Sequence, residues 1–238
     1  MKVLCTICGR AGSKGVLNKN YKPFLKKPLI FYTVNQAKKS NIFTKIVLST
    51  DSKKLLSLGR KYKLDFLIKR PKNLSTNHVP KIKVIKHAFK SAENFFKTKF
   101  DFVIDLDITA PLRSKEDIIN AFKKIKRKNK KIPYNLVSLA ESKKNPYFNM
   151  VEIEKNGLIK LVKQSNKNIH SRQKAKKVYD VDPSVNIWNR MGIMINTKVI
   201  TKNTLYNFLP NFRAMDIDTY LDFKIVEFLY KNKKIKIK

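Results

Sequence analysis

Short apolar runs alternate with stretches of helical periodicity through the first 140 residues of this 238-residue chain. Val3 to Cys8 reads as a strand, and Pro28 to Lys39 as a helix with Leu29, Tyr32, Thr33 and Gln36 three and four apart. Lys45 to Ser49 is a second strand, and Ser52 caps a helix to about Lys61. Phe66 to Ile68 and Phe102 to Leu106 are further strands, separated by a helix over Val84 to Phe96. Ser114 starts a helix with Glu116 and Asp117 in its first turn, and Asn135 to Leu139 is a fifth strand. A chain that alternates in this way is constrained to an α/β fold: one domain over 1–238 with a doubly wound, mostly parallel sheet.

The pattern changes after about residue 141. Asn156-Gly157 lies between apolar runs within Phe148 to Val162, the strongest short-range hairpin signal. Val185 to Trp188 and Ile193 to Ile195 read as short strands, and Thr219 to Tyr230 as a closing helix. Residues 142–192 are therefore expected to form a small antiparallel insertion for substrate contacts or dimerisation.

Charge is the next constraint. The chain has 53 Lys plus Arg against 17 Asp plus Glu, a net charge of +36. Each half contributes +18, so there is no basic arm. Only 8 of the cations are Arg, the side chain that reads bases and grips phosphates bidentately. Abundant Lys, Asn and Ile fit an A+T-biased genome filling solvated positions, so nucleic-acid binding is expected to be non-specific only. No run approaches the roughly 20 apolar residues of a membrane span, and the expected location is the cytoplasm. Cys5 and Cys8 lack a second pair to complete a zinc site, and three apart on a strand they face opposite sides.

The segment GRAGSKGVLNKN, residues 9–20, carries the chemistry. It follows the first strand and contains three Gly, the cations Arg10, Lys14 and Lys19, and Asn20. Gly lets backbone approach a phosphate, and successive N–H groups there form an anion nest. It matches neither Walker A nor G-x-G-x-x-G. Its position suggests a nucleoside triphosphate lying across the carboxyl ends of the strands. Asp216 and Asp218, two apart, would project to one side of a strand end as Mg²⁺ ligands, or would cap the closing helix. Asp107 and Thr109 sit at another strand end, where Asp107 is either a site carboxylate or part of the next helix's first turn.

These motifs resemble the CMP-sialic acid synthetases (acylneuraminate cytidylyltransferases). The resemblance rests on R-x-G-S-K-G-x-x-x-K-N from Arg10 to Asn20, Arg70-Pro71, VIDLDITAPLRSKEDI at 103–118, KNPYFNMVE at 144–152, SRQKAKKVYDVDPSVNIW at 171–188 and MDIDTYLDF at 215–223. Several segments lean towards the bacterial branch that activates legionaminic-acid-like nonulosonates. The resemblance implies transfer of CMP from CTP to the anomeric hydroxyl of a nonulosonic acid, with release of pyrophosphate, Mg²⁺ as cofactor and a homodimer.

Site roles implied by the resemblance follow the same positions. Arg10, Lys19 and Asp216 would be catalytic. Gly12, Ser13, Lys14, Gly15, Asn20 and Arg70 would join Arg10 and Lys19 around the nucleotide. Asp107, Thr109, Asn149, Arg172, Gln173 and Tyr179 would contact the sugar acid, with Arg172 and Gln173 offering a fork and an amide to its carboxylate and acylamino groups. Asp216 and Asp218 would hold the metal. Ile108, Ser171 and Asn186 depart from the family pattern and bear on sugar identity more than on chemistry. The alternatives are a 3-deoxy-manno-octulosonate cytidylyltransferase and a non-catalytic, basic nucleic-acid-binding protein.

Overall fold

The computed structural model describes residues 1–12, 15–164 and 171–232. In chain order its elements are β1 (Val3–Cys8), a ribbon of β2 (Pro23–Phe24) and β3 (Lys27–Pro28), α1 (Leu29–Ser40), β4 (Lys45–Thr50), α2 (Lys53–Lys61), β5 (Phe66–Lys69) and α3 (Lys81–Phe96). Then come β6 (Phe102–Leu106), α4 (Lys115–Ile125), β7 (Asn135–Glu141), a hairpin of β8 (Val151–Ile153) and β9 (Ile159–Leu161), β10 (Tyr179–Asn189), α5 (Arg190–Ile195), β11 (Thr204–Phe208) and α6 (Tyr220–Lys231).

Seven strands form the central sheet in the order β11-β7-β10-β6-β1-β4-β5. Every pair is parallel except those of β10, which runs antiparallel to both β6 and β7. The expected doubly wound α/β fold is therefore present. The central strands are apolar on both faces because both faces are covered. Leu4, Val47, Val103 and Trp188 pack with Ile82, Ile85, Phe89 and Ile193 of α3 and α5. Cys5, Ile7, Leu48, Phe102 and Ile104 pack on the other face with residues of α1, α2, α4 and α6. Each such side chain contributes roughly 1.5–3 kcal/mol by leaving water. Cys5 belongs to one layer and Cys8 packs against the other, both as free thiols.

Local chemistry sets the element ends. The Ser52 side chain accepts from the Leu55 N–H at the start of α2. Ser114 with Asp117, and Thr219 with Asp222, form reciprocal capping boxes at α4 and α6. The hairpin expected at Asn156-Gly157 forms, with Gly157 at φ +82°. Ile193 to Ile195 is not a strand. Asn189 ends β10 and its Oδ1 accepts from the Gly192 N–H, so the apolar run folds as α5 instead. β11 has no counterpart in the sequence reading. β10 carries the second half of the 142–192 window into the middle of the sheet, while β8 and β9 form a separate two-stranded sheet.

Two features of β10 matter for the site. Its register slips between Asp182 and Asn186, which pair with the adjacent Ser138 and Val137 of β7. Just past its midpoint β10 also meets the carboxyl end of β6, since Val185 pairs with Leu106. Among the described residues no helix is long and apolar enough to cross a membrane.

Candidate active site

The parallel strands all point their carboxyl ends to one edge of the sheet, where an open α/β fold binds ligands. A cleft of about 550 Å³ opens there. It gathers Arg10, Gly15, Lys19, Asn20 and Arg70 with Lys81, Asp107, Thr109, Asp216 and Asp218.

The loop after β1 is tied down by its own polar groups. The Ala11 N–H donates to Asp51 Oδ1 at 2.8 Å, and Asn20 Nδ2 donates to the Arg10 carbonyl at 3.0 Å. Arg10 donates from its guanidinium to the Asn77 side-chain carbonyl. Asn20 thus shapes the loop as well as lining the cleft. Arg70 is buried, and its guanidinium donates to Ser49 Oγ and to the carbonyls of Ser49 and Gly9. Those bonds lock the ends of β1 and β4 together beneath the loop, so Arg70 supports the site as well as lining it. Gly12 has open space around it. Ser13 and Lys14 lie outside the described residues.

Gly15 has a specific steric reason. A Cβ there would sit 2.0 Å from the Asp218 carbonyl oxygen, so the loop and the acidic segment touch backbone to backbone. Lys19 fastens the same contact. Its Nζ donates to the Ile217 carbonyl at 2.5 Å and to Asp218 Oδ1 at 3.0 Å.

Asp216 and Asp218 do not lie on a strand end, as their spacing suggested, but in irregular chain before α6. The residue between them explains why both are available. Ile217 is fully buried in the core and its N–H donates to the Thr109 carbonyl, which leaves its neighbours outside the core. Nor is Asp218 the helix cap. Thr219 takes that position, and the Asp218 N–H donates to Asp222.

The carboxylates sit in two contrasting fields. Asp216 is pushed up to about 6 by burial and then by the charges of Asp218, Asp107 and Asp182. Burial also works against Asp107, but Lys81 and Thr109 outweigh it and hold that carboxyl down at about 2. Lys81, at the start of α3, forms an ion pair with Asp105 Oδ2 at 3.0 Å and donates to Asp107 Oδ2 at 2.5 Å. Thr109 donates to Asp107 Oδ1 from both its N–H and its hydroxyl. Sequence reasoning missed Lys81, because one Lys among so many carries no spacing signal. It also gave no role to Arg113, which is buried and donates to the Asp107 and Ser184 carbonyls, Thr33 Oγ1 and Gln36 Oε1.

Among the described residues, no group of three or more His, Cys, Asp or Glu side chains could hold a metal. The donor set nevertheless fits Mg²⁺, which typically takes one or two carboxylates and completes its shell with substrate phosphates and water. Asp216 and Asp218 could supply that pair, and the Asp216 carboxyl is raised by burial first and then by neighbouring carboxylate charge that a cation would offset.

The residues expected to hold the sugar acid divide. Asp107 and Thr109 line the cleft. Gln173 and Tyr179 line a separate cavity of about 470 Å³ with Asn145 and Lys177. Asn149 is exposed, and its Oδ1 accepts from the Asn145 N–H within a turn. Arg172 lies in the short helical turn Arg172–Lys174, and its side chain is outside the described residues. A further cavity of about 780 Å³ adjoins the cleft, sharing Pro183 and Asp216 with it.

Known proteins match this chain over nearly its whole length. The family profile described as Cytidylyltransferase spans residues 4–235. A Campylobacter jejuni CMP-N,N'-diacetyllegionaminic acid synthase is 41% identical over 234 residues, covering 98% of this chain and 97% of the relative. A Campylobacter coli protein named Post-translational flagellin modification protein B is 40% identical over 237 residues, covering 100% and 98%. Among solved structures, a CMP:2-keto-3-deoxy-manno-octonic acid synthetase complexed with CTP is similar with a TM-score of 0.68 at 12% identity, covering 98% of this chain and 100% of that one. Sequence and fold agree over the same span, and the chain belongs to the cytidylyltransferase family of nucleotidyltransferases.

Proposed function

We propose that this enzyme transfers CMP from CTP to the anomeric hydroxyl of a nonulosonic acid of the legionaminic kind, releasing pyrophosphate. The observation that carries the reading is that one cleft at the strand ends gathers Arg10 and Lys19 with Asp216 and Asp218 beside a second cavity. The choice of sugar acid is supported by the 41% identity to the legionaminate-activating relative. The octulosonate alternative has only a likeness of fold at 12% identity behind it.

The roles follow from charge and position. Arg10, Lys19 and the backbone N–H groups of the loop bind the triphosphate and stabilise charge developing on the departing pyrophosphate. Asp216 and Asp218 would hold Mg²⁺, which when bound polarises the phosphate oxygens. Asp107 and Thr109, fixed to each other, line the floor of the cleft. The sugar oxygen forms a bond to the α-phosphorus as the α–β bridging bond breaks, so the anomeric configuration is kept. Among the described residues no imidazole lines the cleft, and this reading passes the hydroxyl proton to solvent. Two copies would pair through the β8–β9 hairpin, where Val151, Ile153, Leu158 and Ile159 are all exposed.

The test is pyrophosphate release with CTP and Mg²⁺ across legionaminic, pseudaminic, sialic and octulosonic acids, on protein whose mass is measured by sedimentation. Fastest release with a legionaminic acid by a two-copy particle is expected. Preference for the octulosonic acid would move the reading to the alternative, release with none would sink it, and a single-copy particle would remove the dimer.

A further inference from the structure

The slip in β10 is costly in sheet hydrogen bonds, and slips of this kind serve to re-aim side chains beside active sites. Between Asp182 and Asn186, β10 advances four residues while β7 advances one. The displaced chain is held firmly. Arg113 donates to the Ser184 carbonyl at 2.5 Å, Ser138 Oγ to the Val185 carbonyl at 3.1 Å, and Asn186 Nδ2 to the Pro183 carbonyl at 3.2 Å. The result is that Pro183 lines both the nucleotide cleft and the adjoining cavity, while Asp182 lines the adjoining cavity.

That cavity differs chemically from the cleft. Met150, Phe212, Met215 and Leu229 give it apolar walls, Lys143 and Lys144 give it cations, and Glu141, Asp180 and Asp216 give it carboxylates. Asp182 lines it too, and the residue is only 4% exposed. One oxygen accepts from the Ser184 N–H at 2.9 Å. A carboxylate has about four acceptor sites, so most of this one's capacity is left over. Burial keeps the group above its usual range; Ser184 and the charge of Arg113 lower it, and Asp107 raises it. Holding a desolvated carboxylate there costs free energy unless a donor arrives.

We propose that Asp182 is a specificity-determining residue for the acceptor, its carboxylate taking a hydrogen bond from an amide N–H or hydroxyl of an acylamino sugar acid seated in the adjoining cavity. The apolar walls take the acyl methyl groups, and Lys143 or Lys144 offers an ion-pair partner to the acid's own carboxylate. This inference rests on the function proposed above and adds the acceptor-reading group to it.

The test is steady-state pyrophosphate release by wild type, Asp182→Asn and Asp182→Ala with N,N'-diacetyllegionaminic acid and CTP varied in turn. Loss of a hydrogen bond to a charged group is expected to raise the acceptor KM about tenfold or more. The CTP KM should stay within about twofold, as should CTP affinity measured without acceptor. An unchanged acceptor KM in both folded variants would overturn the assignment. So would a parallel rise in both KM values, or failure of Asp182→Asn to fold, because the carboxylate would then be structural support. Wild type that binds CTP but releases pyrophosphate with no sugar acid would bring down the functional reading itself, a failure visible before any variant is made.

Discussion

The nucleotide cleft and the cavity beside it are built from opposite materials. The cleft is polar and internally bonded: Lys19 to Asp218, Lys81 to Asp105 and Asp107, Arg70 to Ser49 and Gly9. The cavity has apolar walls and draws on the irregular stretch of β10, the β7 end and the chain before α6. Parallel strand ends give the first a rigid frame, whereas the second depends on a slipped antiparallel strand. A triphosphate is the same in every cytidylyl transfer, while acceptors vary, so in the function proposed above the fixed partner meets the rigid region and the variable partner the adaptable one.

Three substitutions probe that contrast on the cleft side. The largest effect is expected from Asp216→Asn, which should lower pyrophosphate release by on the order of a hundredfold or more through loss of transition-state charge stabilisation. It should also stabilise the metal-free fold. The folded Asp216 carboxyl lies at about 6, above its ordinary value, so its ionisation destabilises the fold. The wild type therefore loses that stability as pH rises from about 4 to about 6. Thermal melts of both proteins in EDTA check the sign; a variant no more stable at neutral pH would contradict it.

Gly15→Ala comes next. Its Cβ cannot share space with the Asp218 carbonyl, so the loop must retreat from the acidic segment. A shift of about 1 Å in positioning groups costs on the order of a hundredfold, and kcat/KM for CTP should fall by about that factor at most. The melting temperature should barely move, since the clash lies at the cleft's rim. Wild-type turnover would mean the contact is dispensable.

Lys81→Met should act mainly on stability. It strands Asp105 and Asp107, costing about 2 kcal/mol after allowing for the third of the lysine side chain that faces water. Asp107 is held down at about 2, so its stabilisation is full above the unfolded value near 4. It is lost as pH falls from about 4 to about 2, and the gap between wild type and variant should narrow over that interval. Denaturant melts across acid pH measure this directly; a constant gap would rule out the ion pair as its source.

Legibility in the sequence followed the same divide. The parallel strands announced themselves because a strand covered on both faces must be largely apolar, as in Val3 to Cys8 and Phe102 to Leu106, where Thr6 and Asp105 are the polar exceptions. The loop from Arg10 to Asn20 was readable because its residue types are few and specific. Beyond residue 141 the Asn156-Gly157 hairpin, the strand at Val185 to Trp188 and the closing helix were legible, but other local signals misled. Ile193 to Ile195 has strand composition, yet one capping bond from Asn189 makes it helix. β11 is a short edge strand with too little burial to stand out. Lys81 and Arg113 act through partners distant in sequence, such as Asp105 and Ser184, and no periodicity encodes that. Asp182 needed the slip of β10 to become visible, and a register exists only between strands.

The place of β10 in the sheet also dictates a timetable for synthesis. β7 and β11 reach the other strands only through β10, because the order runs β11-β7-β10-β6. A ribosome therefore releases Asn135–Glu141 some forty residues before the strand that joins it to the sheet. Until then β6 presents an open edge, the kind of surface on which nascent chains aggregate or recruit chaperones. The phosphate loop emerges early and the acidic pair near the end. No truncated nascent chain can carry a working centre, and quality control has a long interval in which to act.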